Sequence, residues 1–113
     1  MDQIGFALPV IPGQSERART FFAELENERK SEYAASEQRI GVTREHWYLQ
    51  QTPNGDLLVA YIESPDAANA LGLFSQSQDT FDLWFKQGLA AVTDVDLNNP
   101  PPWPLSELLP TYP

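Results

Sequence analysis

Val42 to Glu63, VTREHWYLQQTPNGDLLVAYIE, is the stretch whose reading decides the fold. Val42–Thr52 is rich in β-branched and aromatic residues, and so is Leu57–Glu63. Pro53-Asn54-Gly55-Asp56 lies between them, and Asn-Gly between two such runs is a strong short-range hairpin signal. Taking Asn54-Gly55 as the turn sets an expected register: Thr52 opposite Leu57, Gln50 opposite Val59, Tyr48 opposite Tyr61 and His46 opposite Glu63. Because side chains alternate across a strand, Trp47, Leu49, Gln51, Leu58, Ala60 and Ile62 then share one largely apolar face. Arg44, His46, Tyr48, Gln50, Val59, Tyr61 and Glu63 share the other.

Outward from the hairpin, Gln3–Val10 alternates with Ile4, Phe6, Leu8 and Val10 on one side, which predicts a first strand. Ser15 to Ser36 reads as one long helix with an apolar stripe through Ala18, Phe21, Phe22 and Leu25, and Gly41 marks the end of the helical region. After the hairpin, Ser64-Pro65-Asp66 opens a helix over Pro65–Phe74 with Ser64 as its cap. A second helix begins near Asp79 and carries Phe81, Trp84, Phe85, Gly88 and Val92 on one face. Val95–Leu97 is expected as a short last strand. From Asn98 the chain turns proline-rich, NNPPPWPLSELLPTYP.

The expected organisation is an α+β domain over residues 1–97, with the ferredoxin-like order β-α-β-β-α(α)-β and an antiparallel sheet. Residues 98–113 form a tail packed on the domain or on a partner subunit. A chain of 113 residues fits one domain. It contains no cysteine, so disulfides, thiolate metal sites and cysteine nucleophiles fall away together, which is compatible with a reducing, cytoplasmic setting. The N-terminus has no signal-peptide pattern and no apolar run reaches membrane-spanning length. The net charge is −9, and six of the seven basic residues lie between Arg17 and Arg44. Such a surface repels phosphate backbones and anionic bilayers, so neither nucleic acid nor membrane is an expected partner.

The hairpin face bearing Arg44, His46, Tyr48, Tyr61 and Glu63 is too apolar for a bare surface and too polar for a plain core. Two copies packed through it would enclose a cavity lined by tyrosine hydroxyls, an imidazole and a carboxylate. The element order and the segment REHWYLQQTPNGDLLVAYIE resemble an uncharacterised family of small bacterial proteins in the dimeric α+β barrel group. That group is similar in shape to antibiotic-biosynthesis monooxygenases, muconolactone isomerases and EthD-like proteins. The resemblance implies a ferredoxin-like protomer, a homodimer as a dimeric α/β barrel, and a pocket between sheet and helices. It carries over no catalytic residues.

His46 and Glu63 are the catalytic candidates, as a base and the carboxylate that orients it. Arg44, His46, Tyr48, Tyr61 and Glu63 are the ligand-binding candidates, with Trp103 of the tail as an anchor or a lid. Each has a plainer reading as a cross-strand pair or surface packing. Asp79, Asp82, Asp94 and Asp96 read as a solvated acidic face, without the spacing of a calcium loop. One histidine cannot supply a facial triad, and no nucleotide-binding motif is present, so no metal and no cofactor is expected. Three functions stay open: a dimer binding a small-molecule ligand; a cofactor-independent monooxygenase or isomerase acting on a small aromatic or lactone-type substrate; and a structural dimer without a ligand. Whether the protein is an enzyme is open with them.

Overall fold

The hairpin forms, but around a different pair of residues. A computed structural model describes all 113 residues. In it β2 (Arg44–Thr52) and β3 (Gly55–Ser64) are antiparallel, with Thr52 opposite Gly55, Tyr48 opposite Val59, His46 opposite Tyr61 and Arg44 opposite Glu63. The two-residue loop is thus Pro53-Asn54, and the expected Tyr48–Tyr61 and His46–Glu63 pairings do not occur. The physical reason is local. Asn54 has no positive φ, which a type I′ turn at Asn54-Gly55 would require, whereas Gly55 has φ +121°. Proline in second place and glycine in fourth suit an ordinary turn instead. Thr52 closes it, its hydroxyl donating to Gly55 O at 2.6 Å and accepting from Asn54 N at 3.1 Å. The slip is two residues, so every side chain stays on its expected face.

β1 (Asp2–Pro9) pairs antiparallel with β3, from Asp2 opposite Ser64 to Pro9 opposite Leu57, giving a three-stranded sheet in the order β1-β3-β2. Ile4, Leu58, Ala60 and Ile62 are buried on the helix-covered face. The single helix expected over Ser15–Ser36 is two: α1 (Ser15–Glu26) and α2 (Lys30–Ile40). Asn27 ends α1: its side-chain amide donates to Ala23 O at 2.7 Å in competition with its own backbone N–H at 3.1 Å, and the next bond, Arg29 N to Glu24 O, has left the helical spacing. Asparagine competes with the helix for backbone partners in this way. Gly41, at φ +87°, ends α2 as expected.

α3 (Ala67–Gln76) is capped by Asp66, whose carboxylate accepts from Asn69 N, not by Ser64. The Ser64 hydroxyl is taken up elsewhere, donating to Gly41 O and accepting from Asp66 N. α4 (Thr80–Thr93) starts at Asp79, which accepts from Phe81 N and Asp82 N. Helix α4 packs its aromatic face onto α1, where Phe21 lies so close to Gly88 that an added Cβ would sit 2.1 Å from its ring.

The expected last strand at Val95–Leu97 does not form. Thr93 accepts from Val95 N, and Asp96 accepts from Asn98 N, so the chain curls into turns where a ladder would need it extended. The outer edge of β1 is met instead by the tail, with Gly5 N donating to Ser106 Oγ at 3.0 Å.

Candidate functional site

The residues nominated from the sequence fall in two places. Arg44, His46, Tyr48, Tyr61 and Glu63 lie on the sheet face that no helix covers. There the His46 and Tyr61 rings stack at 6.2 Å and 11°. The Tyr61 hydroxyl donates to Glu63 Oε2 at 2.9 Å, and Arg44 Nε lies 3.7 Å from the same oxygen. Glu63 therefore answers to Tyr61 and Arg44, while His46 meets Tyr61. Trp103 is not among them. It lies in the tail beside β1 and α3, 77% exposed.

A second set of polar groups is half-buried on the other side of the sheet, and the sequence reading missed it. Glu45 belongs to β2, and alternation turns it toward the helices with Trp47 and Leu49. Tyr33 and Glu37 stand one turn apart on α2 and so share a face. The three converge. Glu45 Oε2 accepts from the Tyr33 hydroxyl and, at 3.1 Å, from Trp47 Nε1. Glu37 Oε2 is buried and has no hydrogen-bond partner.

Burial and the neighbouring carboxylates Glu45 and Asp82 push the Glu37 carboxyl up to about 9. Burial also raises Glu45, while its bonds from Tyr33 and Trp47 oppose that rise. Tyr33 is pushed up by burial first and by the Glu45 charge second. The carboxyl with two donors ionises first and the one with none keeps its proton. At neutral pH Glu37 therefore holds an acid proton beside Glu45, the better-partnered carboxyl of the two. Environments that drive two carboxyls apart in this way assign an acid and a base.

These groups line a small, partly open cavity of about 30 Å³, room for about one water, whose remaining walls include Phe6, Leu71, Phe74 and Leu97. Those four side chains also face a larger cavity of about 360 Å³, bounded by β1, α3 and residues Pro100 to Ser106 of the tail. The two volumes share one apolar wall. A volume of this size falls within the range of small-molecule sites.

The site is held from behind by two buried charges. Asp82, expected on a solvated acidic face, is fully buried. It accepts from Ser36 Oγ and Ser77 Oγ, both at 2.5 Å, and lies 3.3 Å from Arg39 Nη2. Its place on the α4 face turned toward α2 makes the difference, because α2 brings hydroxyl and guanidinium donors to it. Lys86 is also buried, its ammonium donating to Phe74 O, Ser75 O and Ser77 O at 2.9, 3.2 and 2.9 Å. It thus satisfies the Ser75 and Ser77 carbonyls at the C-terminus of α3 and adds a second donor to Phe74 O, which also accepts from Ser77 N. Together they tie α2, α3 and α4 into one wall behind Glu37.

A signal for this site was present in the sequence. Glu45 sits at an inward parity between Trp47 and the helix end, a charge where the pattern calls for an apolar residue. Tyr33 and Glu37 gave none, because the break at Asn27 resets the phase of the helix. No cluster of three histidine, cysteine, aspartate or glutamate side chains is placed to hold a metal ion. No helix is long and apolar enough to cross a membrane.

The chain belongs to a family of unknown function, DUF6176, which matches residues 2–98. No curated protein matches significantly. Among solved structures it is similar to an L-rhamnose mutarotase from Formosa agariphila, at a TM-score of 0.61 and 16% identity, covering 99% of this chain and 100% of that one. It is likewise similar to the tetracenomycin F2 cyclase of Streptomyces glaucescens, a type-II polyketide cyclase, at a TM-score of 0.58 and 16% identity, covering 100% and 98%. At this identity the likeness establishes a shared ferredoxin-like α+β fold.

Proposed function

We propose that this member of a family without an assigned function binds a small molecule between sheet and helices and transfers protons on it without a cofactor. The observation that carries this reading is the unpartnered Glu37 Oε2, buried beside a Glu45 carboxylate that two donors hold in place. A protonated carboxyl with nothing to bond is costly in an apolar interior, and an acceptor oxygen on a ligand removes that cost. Glu37 gives its proton to a carbonyl or ring oxygen, and Glu45 takes one from the adjoining carbon or hydroxyl. The substrate is isomerised with no net gain or loss of atoms. One proton passing from Glu45 back to Glu37, within the pair or across one water, restores the starting state. Sugar anomerisation and ring-forming condensation both need such paired proton transfers, so a mutarotase and a cyclase with this fold support the same class of chemistry.

The test is proton NMR in D₂O on a panel of reducing sugars and enolisable aromatic ketones, reading anomerisation or deuterium uptake at carbon. Glu37→Gln and Glu45→Gln are each expected to slow catalysed exchange by ~10²-fold or more. Rates unchanged in both variants would remove the interior pair from the chemistry. A loss in His46→Ala and Glu63→Gln instead would move it to the open sheet face.

That open face supports a second reading, the homodimer. Tyr48 is 57% exposed on it, beside Val59 and Tyr61, and no helix covers the strands there. Two copies paired through it would bring Arg44, His46, Tyr48, Tyr61 and Glu63 to the seam as a ligand-binding surface. Sedimentation at micromolar concentration reads this directly, and a monomer sinks it.

A further inference from the structure

The cavity of about 360 Å³ beside β1 carries no charged group. Its walls are the apolar side chains of β1 and α3, with Leu97, and its roof is the tail from Pro100 to Ser106. Besides the indole N–H of Trp103, its polar side chains are those of Ser75, Gln76 and Ser106. An anion would find no cation there, in a chain whose net charge is already −9. A cation would be taken out of water with no ionised partner short of the wall. What fits is an uncharged apolar body with one polar end.

The roof points the same way. The tail holds five of the eight exposed large apolar side chains: Trp103, Leu105, Leu108, Leu109 and Tyr112. Its recorded bond to the sheet is the single one from Gly5 N to Ser106 Oγ. A segment of this kind, apolar, bonded to the sheet at one point and laid over an apolar cavity, gains buried area when something fills the space beneath it.

We propose that the ligand is an uncharged, flat aromatic molecule with one hydroxyl or carbonyl oxygen, held beneath the tail with Trp103 closing over it and its oxygen reaching Glu37. This rests on the reading of the Glu37 site given above. The aromatic body occupies the larger cavity. Side-chain rotation in the shared wall of Phe6, Leu71, Phe74 and Leu97 opens the path to the carboxyl. Trp103 supplies a face for the ring to stack on.

Calorimetric titration of the full chain with 1-naphthol and with 1-naphthoate tests this. The expected result is binding of 1-naphthol, at least ~10-fold weaker binding of 1-naphthoate, and a ~10-fold loss for 1-naphthol in Trp103→Ala. Trp103 is exposed, so that variant folds. Equal affinity for the two probes overturns the uncharged class, and an unchanged affinity in Trp103→Ala overturns the roof. No 1-naphthol binding up to millimolar concentration overturns the proposal as a whole, while catalysed exchange in the NMR assay would leave the Glu37 pair standing. Conversely, binding that needs Trp103 but is unaltered in Glu37→Leu retains the cavity and removes the carboxyl from it.

Discussion

Replacing Glu37 with glutamine should make the protein more stable, and increasingly so as pH rises. In the folded chain Glu37 keeps its proton up to about 9, whereas in the unfolded chain it returns to the ordinary value of 4.5. Between those values the native state binds one proton more than the unfolded state, so stability falls with rising pH. It is fully present below 4.5 and lost progressively as pH climbs toward 9. For one proton the slope is ~1.4 kcal/mol per pH unit, so from about pH 5 to pH 8 the loss is ~4 kcal/mol. Glutamine is a neutral near-isostere and cannot ionise, which removes this slope. Glu45 is also raised by burial and adds a slope of the same sign, but it is present in both proteins and drops out of the difference. Urea unfolding of both proteins at pH 5, 6, 7 and 8 measures it. The midpoints should lie within ~1 kcal/mol of each other at pH 5, and the variant should lead by several kcal/mol at pH 8. A constant difference across that range would refute the claim that Glu37 is held protonated, and with it the acid in the proposed pair.

Three further outcomes follow from the packing. Gly88→Ala puts a methyl into the buried Phe21 ring and should cost ~1–3 kcal/mol in urea unfolding. Lys86→Met keeps the aliphatic stem but strands the Ser75 and Ser77 carbonyls at the end of α3, and leaves Asp82 with one cation fewer nearby; a loss of ~3 kcal/mol is expected, again by urea midpoint. Tyr33, pushed up by burial and by Glu45, should stay protonated in the folded protein. Spectrophotometric titration at alkaline pH should therefore be the same in wild type and Tyr33→Phe until unfolding begins, and an extra ionising tyrosine in the wild type would count against its contact with Glu45.

Much of the fold is local in origin and was legible for that reason. The hairpin, the first strand, the stop at Gly41 and the start at Asp79 each follow from a few adjacent residues whose φ preferences or side-chain donors act within one turn. The two faces of β2 and β3 were also readable, since period-two alternation survives a slip of two residues. The register itself was not. It depended on whether Asn54 would adopt positive φ, and Thr52 settled that by bonding across the loop. The break at Asn27 was equally invisible in an apolar stripe, which carries no record of a side chain capturing the carbonyl of Ala23.

The missing last strand and the candidate site belong to tertiary structure. Whether Val95–Leu97 pairs with β1 depends on a competition between a ladder and the turns at Thr93 and Asp96, with the tail already bonded at Gly5. The acidic reading failed at Asp82, because composition gives a carboxyl its ordinary solvated behaviour, and it said nothing of Glu37. Only the packing of α2 against β2 and α4 shows that one acid meets three donor side chains and another meets none. Sequence determines which residues can ionise. Burial, and the partners that come with it, determines which of them do.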